Sequence, residues 1–224
     1  MLNSHSLISL ILRLLTSRLH LPAGYLENLH RITSLSGDQV RFIKAPPQPL
    51  EDRKVALGAH TDFGSVTVLF NRIGGLQVRL PAVIEAVPPK TAGQMGETER
   101  SVCRDGWTYV HPLPGHAIIN LGDAMVKFSS GILRSNIHRI VSPPGAQGDV
   151  TRYSLVYFSR PEDVVLLRPL RESPLISARA GPETDEEVFN SKEWILRRVL
   201  STRPGKYFDL EKAKGTEDVR GARG

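Results

Sequence analysis

His60 and Asp62 stand two positions apart, directly before an apolar, β-branched run over residues 66–70. Residues i and i+2 of a β-strand point to the same face, so we expect this imidazole and carboxylate to converge on one point. Two ligands are too few for a tight metal site, and the best candidate for a third is His138. Two histidines and one carboxylate on one face, with the opposite positions open, are typical of non-haem Fe(II) centres.

Arg152 and Ser154 form a second pair with the same two-residue spacing. On a strand both side chains lie on one face, where a planar guanidinium beside a hydroxyl makes a clamp for a carboxylate. An isolated His-x-Asp or Arg-x-Ser also arises by chance on the exposed face of a strand. Either pair alone therefore leaves a plain structural role open.

The composition of the 224 residues, 40% hydrophobic and 23% charged, is that of an ordinary globular protein. The single cysteine, Cys103, excludes an internal disulfide framework and fits a reducing compartment, so we expect a cytoplasmic location. The apolar run over residues 7–12 has no basic segment before it and is interrupted by Arg13. It is too short to span a membrane and is read as an amphipathic or buried helix.

The net charge of +6 raises the question of a nucleic-acid partner. The basic residues are scattered, however, and several lie near the C-terminus between Arg197 and Arg223. Binding to single strands would require a basic groove interleaved with aromatic side chains, which the sequence lacks. We therefore expect neither a nucleic-acid nor a membrane partner; the sequence leaves the oligomeric state open.

Short strands bounded by glycine and proline fill the middle of the chain, and helices flank them. Apolar residues at intervals of three and four predict a helix over residues 6–20, and a similar pattern predicts another over 186–202. Predicted strands cover residues 40–44, 76–80, 107–111, 116–121, 133–141, 152–159 and 164–167. This order predicts a mainly β fold with flanking helices, as a sandwich or barrel.

We expect a single domain made of consecutive segments. An N-terminal helical segment over residues 1–39 packs on a β-core over 40–168, and that core contains a long loop insertion over 81–105 that is mobile and holds no metal ligand. A C-terminal helical segment over 169–211 and a disordered tail over 212–224 complete the chain.

The order His-x-Asp, His, Arg-x-Ser resembles the 2-oxoglutarate and Fe(II)-dependent dioxygenases, and within them the isopenicillin N synthase-like group. The resemblance spans roughly residues 40–168. Apart from the candidate ligands, it is carried by residues 57–64, 74–78, 114–115, 119–123, 135–139, 152–154 and 157–158.

The resemblance implies a double-stranded β-helix, or jelly-roll, that holds Fe(II) by His60, Asp62 and His138. It implies that Arg152 and Ser154 bind the remote carboxylate of the cosubstrate 2-oxoglutarate, with ascorbate as a candidate reductant. The implied activity couples decarboxylation of 2-oxoglutarate and O2 activation to hydroxylation, desaturation or ring closure of a small organic molecule.

Two features depart from the family pattern. An Asn-x-Tyr that often precedes the proline cluster is replaced by Ile43 and Ala45, so one cosubstrate contact is expected to be absent. We also expect the family's usual N-terminal region to be absent, with no counterpart before Met1. An alternative therefore stays open: a truncated, catalytically impaired or non-catalytic member of the same fold that binds metal and 2-oxoglutarate.

Overall fold

The computed structural model describes residues 1–49, 55–80, 106–182 and 188–201 of the chain. The predicted loop insertion over 81–105 and the predicted tail over 212–224 lie outside these ranges. The α-helices in the described part are α1 (Leu2–Arg18), α2 (Tyr25–Asn28), α3 (Asp123–Phe128), α4 (Pro174–Ala180) and α5 (Ser191–Ser201). The strands are β1 (Gln39–Ala45), β2 (Val55–His60), β3 (Val66–Asn71), β4 (Leu76–Arg79), β5 (Trp107–Tyr109), β6 (Ile118–Leu121), β7 (His138–Val141) and β8 (Arg152–Ser159).

The strands form two four-stranded sheets with the orders β1-β8-β3-β6 and β2-β7-β4-β5. Every pairing within them is antiparallel. A small apolar cluster between the sheets joins Leu69 and Val156 of the first to Leu76 of the second. This is the jelly-roll that the sequence predicted, and its two layers leave an interior that both sheets line.

The larger hydrophobic core lies on the outer face of the first sheet, under helix α1. Ile8 and Leu12, one helical turn apart, are 0% and 1% exposed and pack in one cluster with Val66, Val68 and Tyr157. Side chains four residues apart lie on the same face of a helix, so α1 covers the sheet with one apolar stripe. Truncating either residue to alanine would cost about 2–5 kcal/mol.

The helix predicted over residues 6–20 is confirmed, with α1 starting four residues earlier. The strand predicted over 164–167 is wrong, because only an isolated bridge joins Leu166 to Asn190 there. Backbone bonds such as Val165 N–H to the Glu162 carbonyl, 2.9 Å, close turns instead. Val165 and Leu167 pack on the core while Val164 and Leu166 are exposed, so the alternation that predicted a strand is real, but the backbone is held by turns.

The C-terminal helix α5 begins at Ser191, later than predicted. A capping box sets this start: Glu193 N–H donates to Asn190 Oδ1 at 2.9 Å, and Asn190 N–H donates to Glu193 Oε2 at 3.0 Å. The two bonds satisfy backbone donors that the first turn would leave free. No helix of the described ranges is both long and apolar enough to cross a membrane.

Candidate metal centre and anion clamp

The structure brings His60, Asp62 and His138 together. One potential ligand atom from each lies within 4.8 Å of the other two. The two histidines are directly opposite in the β2–β7 pairing, and their ring centroids are 4.3 Å apart. Asp62 Oδ1 lies 3.8 Å from His138 Nε2. The three side chains therefore converge from the facing ends of two strands and the loop after β2.

His60 and His138 both direct Nε2 towards the point where the three side chains converge. The Nδ1 of His60 lies 2.8 Å from the Gly58 carbonyl oxygen, and the Nδ1 of His138 lies 3.1 Å from that of Asn136. A carbonyl only accepts, so each Nδ1 carries a proton and each Nε2 is the nitrogen left to bind a metal. Burial, followed by the neighbouring His138, lowers the pKa of His60, which favours the neutral form that a metal requires.

His60 and Asp62 do converge, but the expectation that they lie on one face of a single strand is wrong. β2 ends at His60, and Asp62 lies in the loop that leads to β3. Two backbone bonds hold this loop against the start of α3: Asp123 N–H donates to the Asp62 carbonyl at 2.8 Å and Ala124 N–H to the Gly64 carbonyl at 3.1 Å. A Cβ on Gly122 would lie 2.3 Å from that Gly64 oxygen, so this close approach requires glycine.

Two imidazoles and one carboxylate fit Fe(II). This donor set occupies one face of an octahedron and leaves the opposite face open for exchangeable ligands. Soft thiolate ligands, which would favour zinc or copper(I), do not take part in the cluster of His60, Asp62 and His138.

Arg152 and Ser154 form a buried polar pair on β8, 4% and 6% exposed. Arg152 Nη1 donates to Ser154 Oγ at 3.2 Å, and Nε donates to the Gly74 carbonyl at 3.0 Å. Its Nη2 is buried without a hydrogen-bond partner within the described ranges. Burial lowers the pKa of Arg152, which reflects a cation taken out of water without a countercharge. A buried guanidinium nitrogen without a partner is a site for an anion, and the planar guanidinium suits a carboxylate.

The positions that depart from the family pattern lie opposite this clamp. In the β1–β8 register Ile43 pairs with Ser154 and Ala45 pairs with Arg152. Neither side chain carries a hydrogen-bonding group. These two positions of β1 therefore add no polar contact to an anion held by Arg152.

Asp123 links the elements around the metal centre, and sequence reasoning missed its role. Its carboxylate accepts hydrogen bonds from Ser135 at 2.6 Å, from Thr61 at 3.0 Å and from Arg198 at 3.0 Å. Thr61 stands between two candidate ligands, and Ser135 leads to the third. The match at residues 119–123 pointed to Asp123, but nothing in the sequence pointed to Arg198 on α5.

Helix α5 also contacts the loop after β2 through Trp194. Its Nε1–H donates to the Phe63 carbonyl at 3.2 Å, and the guanidinium carbon of Arg198 lies 4.7 Å from the Phe63 ring centroid. A cation over an aromatic face is a favourable contact. The loop that carries Asp62 is thus held by α3 on one side and α5 on the other.

Residues 36–161, more than half of the chain, match the 2OG-Fe(II) oxygenase superfamily. The chain belongs to this superfamily. Among curated relatives, a 2-oxoglutarate-dependent dioxygenase of Aspergillus fumigatus is 34% identical over 206 residues, which are 90% of this chain and 52% of the relative. The 2-oxoglutarate-dependent dioxygenase iboH of Amanita muscaria is 29% identical, over 92% of this chain and 85% of the relative.

Solved structures with the same fold include a full-length Neurospora crassa protein in complex with alpha-KG. It superposes with a TM-score of 0.69 at 24% identity, over 88% of this chain and 54% of that chain. The chain spans about half the length of several curated relatives that it matches, with 52%, 50% and 48% of their lengths covered.

Proposed function

We propose that the protein is an Fe(II)- and 2-oxoglutarate-dependent dioxygenase that oxidises a small organic molecule. The observation that carries this proposal is the pairing of two unlike sites in one jelly-roll. Two imidazole nitrogens converge with one carboxylate, and the buried guanidinium of Arg152 keeps its Nη2 without a partner in the described ranges. The first arrangement suits Fe(II), and the second suits a dicarboxylate cosubstrate.

His60, Asp62 and His138 would hold the iron by two Nε2 atoms and one carboxylate oxygen. When bound there, Fe(II) supplies the redox chemistry that O2 activation needs. Arg152 and Ser154 bind the remote carboxylate of 2-oxoglutarate and so orient its keto acid end. Arg152 and Ser154 are buried, and the lower local dielectric strengthens the charge pairing at Arg152.

A small organic substrate is supported by the names of relatives. One of these, 30% identical over 175 residues, is feruloyl CoA ortho-hydroxylase 1 of Arabidopsis thaliana. The proposed iron and 2-oxoglutarate contacts all lie within residues 60–154. They do not select the substrate, because one such site serves many substrates on the same fold.

The test of the iron site is the stoichiometry of bound Fe(II) after anaerobic dialysis. His138→Ala should abolish binding of one equivalent while the circular dichroism spectrum and melting temperature stay near those of the parent. His116→Ala is the matched control, because its Nδ1 also contacts a carbonyl, that of Pro114 at 2.9 Å, outside the site. A His138→Ala protein that still binds one Fe(II) with parental affinity would overturn the assignment.

Catalysis is tested separately from binding. The iron-loaded protein should release succinate and CO2 from 2-oxoglutarate under air, and Arg152→Ala should lose this release at low 2-oxoglutarate. A protein that binds iron and 2-oxoglutarate but forms no succinate with any candidate substrate would favour a non-catalytic member of the superfamily.

A further inference from the structure

We propose that Thr67 and Asn120 are positioning residues that present Asp62 to the metal through one oxygen only. The proposal rests on the proposed iron site. Thr67 Oγ1–H donates to Asp62 Oδ2 at 2.6 Å, and Asn120 Nδ2–H donates to the same oxygen at 2.7 Å. The other oxygen, Oδ1, is the one that faces His138 Nε2.

The two donors form one unit because of the strand register. Thr67 and Asn120 are direct partners in the β3–β6 pairing, so their side chains stand side by side on the inner face of the sheet. Asp62 and Thr67 are only 6% and 5% exposed, which shields these bonds from water. Hydrogen bonds to a carboxylate are charge-assisted and strengthen in such surroundings.

This arrangement decides how the carboxylate can bind a metal. Two donors already occupy the lone pairs of Oδ2, so chelation by both oxygens of Asp62 would require at least one of these bonds to break. Coordination through Oδ1 alone keeps the remaining positions of the metal open for exchangeable ligands. Thr67 and Asn120 therefore set the number of open positions as well as the aim of Asp62.

The test measures Co(II) affinity by anaerobic calorimetry and the visible Co(II) spectrum, which changes with coordination number. Thr67→Val removes the hydroxyl at nearly constant shape, and Asn120→Leu removes the amide. Each should raise the Co(II) dissociation constant by about 10- to 100-fold, the usual effect of losing a hydrogen-bond partner of a metal ligand. Each should also alter the spectrum, whereas Thr67→Ser, which keeps the hydroxyl, should stay within about 3-fold of the parent in affinity.

Thr16→Val is the matched control for a merely structural effect. Thr16 is 3% exposed and also donates to a carboxylate, Glu27 Oε2 at 3.2 Å, but it lies on α1 away from the site. It should lower the stability of the fold about as much as Thr67→Val and leave Co(II) binding unchanged.

The outcomes separate this proposal from the iron site itself. If His138→Ala abolishes Co(II) binding but Thr67→Val and Asn120→Leu keep the parental affinity and spectrum, the positioning role is overturned and the site stands. If the parent binds no Co(II), or if His138→Ala binds it as the parent does, the site and the positioning role fail together.

Discussion

Replacing Arg152 by alanine tests the cosubstrate clamp most sharply. Its guanidinium uses Nε on the Gly74 carbonyl and Nη1 on Ser154, and its Nη2 has no partner in the described ranges. The free Nη2 of Arg152 and the adjacent hydroxyl of Ser154 are the groups that a carboxylate would engage. Loss of one partner from such a buried, hydrogen-bonded charge pair costs about 2–5 kcal/mol. At about 1.4 kcal/mol per tenfold, the 2-oxoglutarate dissociation constant should rise at least about 30-fold.

Arg152→Lys should recover only part of this loss. A lysine keeps the charge but offers a compact ammonium in place of a planar fork, so it cannot bond Gly74, Ser154 and a carboxylate with the same geometry. We expect its dissociation constant to lie between those of the parent and Arg152→Ala. Isothermal titration of 2-oxoglutarate into the anaerobic Fe(II) protein measures all three.

The buried guanidinium of Arg152 should destabilise the folded protein when no anion is bound. Arg152→Met keeps much of the side-chain volume and removes a buried, uncompensated charge. The free energy of unfolding of the ligand-free variant, measured in urea, should therefore equal or exceed that of the parent. Arg79→Met, at an exposed position of β4, controls for loss of one positive charge.

The result that would refute the clamp is a 2-oxoglutarate dissociation constant for Arg152→Ala within about twofold of the parent's.

Two further predictions concern the surroundings of the site. Asp123→Asn should lower the free energy of unfolding by about 1.5–3 kcal/mol, measured in urea, because the neutral amide weakens the charge-assisted bond to Arg198; a loss below about 0.5 kcal/mol would contradict this. The bidentate pair with Arg31 lowers the pKa of Glu162 from 4.5 to about 2. The pair therefore contributes stability above pH 4.5 that is lost as the pH falls towards 2. Glu162→Gln should reduce the acid sensitivity of melting in this window, and an unchanged pH profile would count against the ion pair.

The sequence named three side chains that the structure brings together, but it did not predict the local structure around them. His60, Asp62 and His138 could be named because metal ligands are constrained by residue type. The supposed reason for their convergence, one strand through His60 and Asp62, fails because β2 stops at His60. The bonds that aim the Asp62 loop run to residues far along the chain, and short-range periodicity carries no information about them.

The same limit applies to the elements. Helix α1 was predictable because its apolar stripe repeats over several turns. Helix α3 was missed because it begins at the aspartate of a glycine-aspartate turn signal, and its six residues are too few to show a period. The contact of Arg198 with Asp123 was not predictable either. An arginine on an amphipathic helix is expected to be solvated, and only the packing of α5 brings it to Asp123.

We propose that this chain holds Fe(II) and 2-oxoglutarate together in one site. The most direct measurement is anaerobic titration of the Fe(II) protein with 2-oxoglutarate, followed by visible absorption. A weak charge-transfer band should grow to saturation at one equivalent, vanish in His138→Ala and require far more 2-oxoglutarate in Arg152→Ala. A folded, iron-loaded protein that develops no band at saturating 2-oxoglutarate would contradict the claim.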